Sequence, residues 1–341
     1  MSEKKFQDRP PIIWLLVDDD PEGEAMVMAC GRALERLMGW RFEIKELRYT
    51  HSAALPDYIM QESFAVLTQS GRVNLVAPWP DIVIATGKRS VPVERRIKVL
   101  SQGKAFLVHI DFPGAFGAED FDLIAVARHD AIPAAENTMT TGGVPHLVME
   151  ETLHEGRKAR AEICEPLGAP RLAVLVGGDT PRRVFSPQMA RDFAADVVRF
   201  AERNAAALMV HIGARMSEEA ARAFRDTIAV WNGGSRLYAV GDGGDDPFFG
   251  YLAWADGVIV SGENAALCCR AAGGGMPVYI HAPKKLVSHK MVQLHRDLYE
   301  KGLAVPFDAD GALTRETHPP LNAAFEIAAE IKRRLEENEK G

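Results

Sequence analysis

Short apolar runs recur along the chain, each followed by a turn of Gly, Asp or Pro and then by a segment with helical periodicity. In the first half, these runs predict strands at residues 12–17, 42–47, 81–85, 105–110 and 121–127. The segments between them predict helices at residues 22–38, 55–70 and 91–102. Short apolar strands that alternate with helices are typical of a parallel sheet covered on both faces.

The same pattern restarts after a charged, helix-like stretch at 150–165 and a turn-rich boundary at 166–171. It predicts strands at residues 172–176, 207–212, 236–240, 257–260 and 277–280, and helices at residues 187–204, 218–230, 247–254, 264–273, 288–301 and 320–337. A chain of 341 residues exceeds a usual single core. We therefore predict an α/β protein with two Rossmann-like doubly wound domains facing a cleft, at 10–150 and 168–320, with a C-terminal helix at 320–341.

The composition argues against several classes of function. The net charge of −7 argues against broad electrostatic binding of nucleic acid, although a local basic pocket remains compatible with it. The four cysteines have no zinc-site spacing, so we expect a reduced, cytoplasmic protein in which Cys268 and Cys269 pack in the core. No signal-like or membrane-spanning run is found, so we expect membrane association to be peripheral at most.

Ligands of doubly wound sheets bind at the carboxyl ends of the strands, so the loops there are the candidate sites. The first such loop of the second half contains Gly177, Gly178, Thr180, Arg182 and Arg183. Glycines allow close approach of a ligand to the backbone, and arginines pair with phosphate. The loop matches neither a P-loop nor a dinucleotide fingerprint, and a plain strand-to-helix turn is the alternative.

Two later turns of the second half also precede predicted helices. Asp246 and Pro247 suit the cap and first position of a helix, whose free N–H groups can receive a phosphate or ribose oxygen. Glu263 and Asn264 follow the next strand and can bond a ligand. Helix capping alone is the alternative in both cases.

The first half offers an anion site and a general base. Gly87, Lys88 and Arg89 follow a strand and can hold an anionic group. His109 and Asp111 follow the next strand as candidate bases, against the alternative of a satisfied structural histidine. Weaker candidates of the same kind are His129, Asp130 and the segment 142–146.

Three adjacent carboxylates, Asp18, Asp19 and Asp20, form the turn after the first predicted strand. Carboxylates bind divalent metals, and a DxD sequence occurs in metal-dependent sugar transferases. That motif belongs to another architecture, and Asp also caps helices at such turns. We therefore predict no metal site here.

Several of these segments together resemble the family named after the plant mitochondrial-fission protein "elongated mitochondria" and its bacterial relatives, over about residues 12–307. The similarity lies in residues 80–89, 129–130, 177–183, 246–250, 255–260 and 275–279. The resemblance implies a GT-B architecture, in which the first domain binds the acceptor and the second binds a nucleoside-diphosphate sugar. It also implies transfer without a metal or other cofactor. If the protein is such a transferase, we expect the donor diphosphate to lie over Gly177 and Gly178 with Arg182, Arg183 and Arg215 near it.

The chain departs from the family pattern at three places. Residues 18–24 are more acidic than the usual turn and lack its His and Lys, and Glu263 and Asn264 replace Asp-Ser. Arg270 stands where GT-B transferases commonly have the Glu that holds the ribose hydroxyls, and Arg cannot accept hydrogen bonds. This replacement fits an extra phosphate, a changed donor or lost activity.

Three functions remain open on the sequence. The leading one is a glycosyltransferase that uses a nucleotide sugar and an unknown acceptor. A nucleotide-sugar epimerase shares the architecture and acts on the donor alone, and a non-catalytic binding or scaffold protein fits the change at Arg270. Redox chemistry with NAD fits poorly, because no dinucleotide fingerprint follows any strand.

Overall fold

The computed structural model describes residues 9–54 and 62–338. They divide into two compact units. The first unit contains the residues up to Leu147 together with those from Asn322 onwards, and the second contains Val148–Leu321.

The first unit is built on one parallel sheet with the strand order β2-β1-β3-β4-β5-β6. Its strands are β1 (Ile13–Val17), β2 (Phe42–Glu46), β3 (Ile82–Thr86), β4 (Phe106–Ile110), β5 (Leu123–Ala127) and β6 (Thr138–Thr141). Its helices are α1 (Pro21–Met38), α2 (Gln69–Arg72), α3 (Val91–Leu100) and, from the end of the chain, α11 (Ala323–Asn338). Helix α11 packs against α1, which places the C-terminal helix in the first unit.

The second unit repeats this plan with the strand order β12-β11-β10-β7-β8-β9, again all parallel. Its strands are β7 (Arg171–Val176), β8 (Ala207–Ile212), β9 (Ser235–Ala239), β10 (Gly257–Ser261), β11 (Val278–His281) and β12 (Val305–Pro306). Its helices are α4 (Glu150–Ala159), α5 (Ala161–Cys164), α6 (Pro187–Arg203), α7 (Glu218–Ala229), α8 (Phe248–Trp254), α9 (Ala265–Ala272) and α10 (His289–Glu300). The charged stretch after residue 150 thus begins this unit, where α4 packs against α8.

Burial explains why these segments form strands. Every residue of β1, β4, β5, β8 and β10 is buried, as expected for parallel strands covered on both faces. In the second unit, Phe193, Phe200 and Phe224 pack between the sheet and helices α6 and α7. Cys268 and Cys269 are fully buried, which confirms their predicted packing role. No described helix combines the length and the apolar character needed to cross a bilayer.

The prediction of two doubly wound parallel units is confirmed, and the predicted strands are found within two residues of their predicted ends. Strands β6 and β12 were not predicted, because β6 consists mostly of threonine and β12 has two residues. Residues 55–61 of the helix predicted at 55–70 lie outside the described part. In the rest of that segment the structure has no continuous helix: Ser63 and Thr68 accept backbone N–H groups and begin two separate short elements, a 3-10 turn at Phe64–Val66 and helix α2.

Candidate functional site

Each sheet has one point where the chain reverses its direction of winding. In the second unit, the chain passes from β7 outward to β8 and β9, and then returns to place β10 on the other side of β7. In the first unit, β1 lies between β2 and β3 in the same way. Ligands of open α/β sheets bind at such switch points, outside the carboxyl ends of the strands. The loops after β7 and β10, and those after β1 and β3, are therefore the places to examine.

At the switch point of the second unit, Glu263 joins the two loops. Its Oε1 accepts hydrogen bonds from the amide of Gly178, at 2.9 Å, and from the hydroxyl of Ser261, at 3.0 Å. Ser261 in turn accepts a hydrogen bond from the amide of Gly177 at 2.8 Å. Glu263 is 6 % exposed, and its Oε2 is buried without a hydrogen-bond partner among the described residues. Burial raises the pKa of this carboxyl above its usual value, although its hydrogen bonds oppose the shift.

The two glycines are required by the protein's own packing. A side chain at Gly177 would overlap with Oε1 of Glu263, and one at Gly178 would overlap with the backbone of Arg215 and Met216. Gly178 also has a φ of +147°, which disfavours other residues. Protein atoms thus fill the space on the Cβ side of both glycines, and contact of a ligand with their backbone stays a prediction.

Basic side chains gather in the neighbouring loops. Arg183 donates to the carbonyl oxygens of Lys284 and Lys285, at 3.2 and 3.0 Å, and so ties the loop after β7 to the loop after β11. Arg182, Lys284 and Lys285 are exposed. Arg215 is exposed as well, and its carbonyl oxygen accepts from the amide of Asp179 at 2.9 Å. Thr180 lies in the turn between, where its amide bonds the carbonyl of Arg183.

The structure has two acids beside this basic region, and both are engaged with the backbone. Asp179 accepts from the amide of Phe185 at 2.7 Å, and Glu263 is buried as described above. We call Arg182, Arg183, Arg215, Lys284 and Lys285 the basic rim. In a chain of net charge −7, such a rim provides a local positive potential suited to phosphate.

Asp246 lies at the same edge of the sheet, before α8. Its Oδ1 accepts from Nε2 of His211, at 3.0 Å, and from the amide of Phe248, at 2.8 Å. The helix begins at Phe248, one residue later than predicted, and Pro247 is the capping residue. Burial alone would raise the pKa of Asp246, but the bonds from His211 and Phe248 and the charge of Arg270 bring it below its usual value.

Arg270 and Asn264 have defined structural contacts in α9. The guanidinium of Arg270 lies over the ring of Phe248, 3.4 Å from its centroid, a cation–π contact. Asn264 caps the helix, since its Oδ1 accepts from the amide of Leu267 at 2.9 Å. The capping role foreseen for Asn264 is therefore present, and any ligand contact by this residue stays a prediction.

In the first unit, the switch point carries an ion-pair cluster. Arg89 donates to Asp18 at 2.9 Å and also pairs with Asp19, and its guanidinium lies 4.6 Å from the centre of the Tyr49 ring. Asp20 instead caps α1 by accepting from the amide of Glu22. Each of the three adjacent aspartates thus has a protein partner. The part of the chain that the structure covers contains no group of three metal-binding side chains.

Gly87 and Lys88 stand beside this cluster. Gly87 has a φ of +80° with open space around it, and Lys88 is exposed. A shallow pocket next to them is lined by Tyr49, Thr86 and Ser90, together with residues of β1 and α1. The side chain of Lys88 forms no ion pair with the described residues, whereas Arg89 pairs with Asp18 and Asp19.

The two candidate bases have opposite environments. His109 is buried, and its Nδ1 bonds Oε1 of Glu94 at 2.9 Å, while Ser90 donates to the same oxygen at 2.8 Å. Asp111 is exposed and has a φ of +72°, an uncommon conformation for a residue with a side chain. Burial favours a structural role for His109, and the prediction of a general base therefore rests on Asp111.

Some residues at these sites were missed by the sequence analysis. Ser261, His211, Glu94 and the Lys284–Lys285 pair carry no spacing signal, because each meets its partner only through the sheet. Of these residues, only Lys284 and Lys285 could have been found from the sequence, by a search for basic residues that follow a predicted strand. Of the weaker candidates, His129 and His146 are buried.

The comparisons with known proteins concern the family and the fold. The sequence model of the family "Mitochondrial fission ELM1" matches residues 24–335. The "Mitochondrial fission protein ELM1" of Arabidopsis thaliana is 22 % identical over 284 residues, which cover 75 % of this chain and 64 % of the plant protein. The match thus spans less than two thirds of that relative's length.

Several solved structures share the fold over nearly the whole chain. A protein of Listeria monocytogenes described as a UDP-N-acetylglucosamine 2-epimerase is 15 % identical, with a TM-score of 0.58 and coverage of 96 % of this chain and 98 % of that one. The UDP-GlcNAc 2-epimerase of Methanocaldococcus jannaschii is 10 % identical, with a TM-score of 0.55 and coverage of 94 % and 99 %. That of Neisseria meningitidis, bound to UDP-GlcNAc, is 9 % identical, with a TM-score of 0.51 and coverage of 94 % and 99 %.

At such low identities, these likenesses concern the fold, and they confirm the GT-B-like class of two Rossmann-like units. The family match covers most of the chain and agrees with the resemblance seen in the strand-end loops. The chain therefore belongs to the mitochondrial fission ELM1 family.

Proposed function

We propose that the second unit binds a nucleoside-diphosphate sugar at the carboxyl edge of its sheet, and that the protein transfers this sugar to an acceptor bound by the first unit. The observation that carries the proposal is the basic rim at the β7–β10 switch point. Four of its members are exposed, namely Arg182, Arg215, Lys284 and Lys285, and Arg183 holds two of the loops together. A diphosphate is the part of a nucleotide sugar that such a rim suits best.

In a transfer reaction, the bond between the anomeric carbon and the diphosphate oxygen breaks while an acceptor oxygen or nitrogen bonds to that carbon. The departing diphosphate gains negative charge, which cationic side chains stabilise. We assign this role to Arg182, Arg215 and the two lysines of the rim. We assign the removal of the acceptor's proton to Asp111, which is exposed at the end of β4 in a strained backbone conformation.

The test is binding of UDP, ADP, GDP and CDP, measured by calorimetry and by thermal shift. Ligand at about 100 times its dissociation constant stabilises the folded state by about 2.7 kcal/mol, which gives a clear shift of the melting temperature. We expect Arg182→Ala to weaken binding about tenfold or more with little change in folding stability, because the side chain is exposed.

Arg222→Ala is the matched control. Arg222 is an exposed arginine of the same unit, and it pairs with Glu218 one turn earlier on α7. Equal affinities for the wild type and for Arg182→Ala would contradict the assigned site. No binding of any of the nucleotides by the wild type would contradict the proposed function itself.

A nucleotide-sugar epimerase is the second candidate, and the fold likeness to three proteins described as UDP-GlcNAc 2-epimerases favours it. An epimerase converts the nucleotide sugar without any acceptor, whereas a transferase requires one. Incubation with UDP-GlcNAc alone, followed by chromatography of the sugar, distinguishes them. Binding without turnover under either condition would support the non-catalytic alternative.

A further inference from the structure

The carboxyl group of Glu263 has one oxygen with two hydrogen bonds and one oxygen with none. Its Oε1 accepts from the amide of Gly178 at 2.9 Å and from the hydroxyl of Ser261 at 3.0 Å. Its Oε2 is buried and has no hydrogen-bond partner among the described residues. Because Oε1 is already the acceptor of two donors, a proton on this carboxyl group belongs on Oε2.

The burial of Oε2 determines which form of the carboxyl group the protein favours. An ionised carboxylate places negative charge on a buried oxygen that no donor of the described chain faces, which is unfavourable. The neutral acid removes this charge and keeps both hydrogen bonds of Oε1. The pKa of Glu263 is therefore raised by burial, although the bonds from Gly178 and Ser261 oppose the shift.

Titratable groups on the neighbouring elements face this carboxyl group. Arg215, in the loop after β8, contributes a positive charge that favours the ionised form, and its side chain is exposed. Cys268 on α9 is fully buried, and burial raises the pKa of its thiol well above the usual value, so the thiol is neutral. His295 on α10 lies close behind the loop, with its Nε2 3.9 Å from Sγ of Cys268.

Two further titratable groups of adjacent segments have partners elsewhere. His281, at the end of β11, accepts the amide of Gly262 through its carbonyl oxygen, while its ring stacks on Phe193. Asp179, in the loop after β7, accepts from the amide of Phe185. Glu263 is thus the buried carboxyl group that joins the loops at this switch point.

The same carboxyl group lies against the loop of the proposed diphosphate site. A side chain at Gly177 would overlap with its Oε1, and the amide of Gly178 is bonded to that oxygen. Negative charges close to a carboxyl group favour its protonated form. A diphosphate over this loop therefore favours the neutral form of Glu263 more strongly than the free protein does.

We propose that a nucleoside-diphosphate sugar binds at the β7–β10 switch point together with one proton, which Oε2 of Glu263 takes up from solvent and returns when the ligand leaves. This inference rests on the proposed binding of the nucleotide sugar at this edge of the sheet. Glu263 is a positioning residue here: Oε1 fixes the loop, and the neutral carboxyl group does not repel the diphosphate. Affinity should fall as the pH rises above the pKa of Glu263 in the free protein, by up to about tenfold per pH unit.

The experiment is calorimetry of the full chain with UDP-GlcNAc, UDP-glucose, ADP-glucose and GDP-mannose, from about pH 5 to about pH 9. Each titration is made in two buffers with different heats of ionisation, and the difference in the measured heat gives the number of protons taken up. Sugar nucleotides are used because a terminal phosphate, which they lack, itself titrates near about pH 6. We expect uptake that approaches one proton, over the same pH range in which the affinity falls.

Glu263→Gln is the decisive variant, since its amide oxygen can accept from Gly178 and Ser261 while the side chain does not titrate. It should bind the sugar nucleotide without proton uptake and with an affinity that does not change with pH. Glu219→Gln is the matched control, because it makes the same chemical change at an exposed glutamate of the same unit. It should keep the proton uptake of the wild type.

A second measurement covers the case in which Glu263→Gln folds poorly. NMR of the carboxyl carbon of Glu263 in the wild type should show the ionised form in the free protein above its pKa and the neutral form in the complex at the same pH. An ionised Glu263 in the complex throughout the pH range would overturn the inference.

The outcomes separate this inference from the function on which it rests. Binding by the wild type without proton uptake at any pH would overturn the role of Glu263 and leave nucleotide-sugar binding intact. Undiminished uptake in a well-folded Glu263→Gln would also overturn it, and would assign the proton to another group such as His295. No binding of any of the sugar nucleotides at any pH would overturn both proposals.

Discussion

The amide of Gly178 donates a hydrogen bond to Oε1 of Glu263 across 2.9 Å, between two loops that are 85 residues apart in sequence. Through this bond, one buried carboxylate connects the turn after β7 to the turn after β10. The two strands are neighbours in the sheet, so the connection lies at the switch point itself. The shape of the proposed diphosphate site therefore depends on a residue that need not touch the ligand.

We expect Gly178→Ala to lower the free energy of unfolding by about 1–3 kcal/mol. The added methyl group would overlap with the backbone of Arg215, which cannot move without shifting the loop after β8. Gly234→Ala is the control, since a methyl group there meets Leu167 at an ordinary contact distance of 3.4 Å. Chemical denaturation of both variants measures the difference, and a Gly178→Ala protein as stable as the control would contradict the packing described here.

The carboxyl of Glu263 should make stability depend on pH. Because burial raises its pKa in the folded state, the folded protein holds the proton more tightly than the unfolded chain does. The free energy of unfolding contributed by this group therefore falls as the pH rises from the usual value for Glu, about 4.5, through the raised pKa.

The test is the pH dependence of unfolding in Glu263→Gln, which keeps an oxygen to accept from Gly178 and does not titrate. The variant should lose the decline that the wild type shows above pH 4.5. Identical profiles for the two proteins would mean that Glu263 has the same pKa folded and unfolded. Glu263→Ala should be less stable than Glu263→Gln by about 1–3 kcal/mol, because it leaves buried donors unpaired.

His281, at the end of β11, should destabilise the protein in acid. It stacks on Phe193 with the ring centroids 4.1 Å apart, and burial lowers its pKa to about 4. Between pH 6.5 and 4, the unfolded chain binds a proton at this residue that the folded protein does not. The contribution of His281 to the free energy of unfolding should thus be fully present above pH 6.5 and should decrease as the pH falls toward 4. The loss is on the order of 3 kcal/mol.

His281→Phe keeps an aromatic ring against Phe193 and removes the titrating group. The difference in unfolding free energy between the wild type and this variant should change over the same pH range and be constant above it. A difference that does not vary with pH would show that the imidazole protonates equally well in the folded state.

Arg89 should lower the pKa of Asp19 at the switch point of the first unit. The pKa of Asp19 lies below its usual value because Arg89 donates a hydrogen bond to it and adds a positive charge. In Arg89→Met, which keeps an apolar stem over Tyr49, the pKa of Asp19 should rise back toward 3.8, as NMR titration of its carboxyl carbon would show.

Lys88→Met is the control for the same titration. Lys88 is the adjacent cation, but it forms no ion pair with the described residues. An equal rise of the Asp19 pKa in both variants would show that any nearby positive charge has the same effect, and would contradict a specific role of Arg89. A rise in Arg89→Met alone would establish the specific pair.

Local sequence patterns were sufficient to predict the fold class. Continuously apolar runs such as that of β4 can only be buried on both faces, and the helices between them exclude antiparallel hairpins. Capping residues such as Asp20 and Asn264 act within a few positions of themselves, so their roles were readable as well. The same locality explains the failure at β6, where threonines pair with β5 without any apolar run.

The candidate sites needed the tertiary structure, because their hydrogen bonds join residues far apart in the chain. The sequence placed Gly177, Gly178 and Glu263 in separate turns, and only the order of the strands brings the carboxylate against the glycines. It also treated His109 and Asp111 alike, whereas the packing of β4 buries the histidine on Glu94 and leaves the aspartate exposed. The apolar pattern of the sequence shows which residues are buried, and this was sufficient to predict the two sheets. Which polar groups meet was decided by the winding of the chain around each switch point.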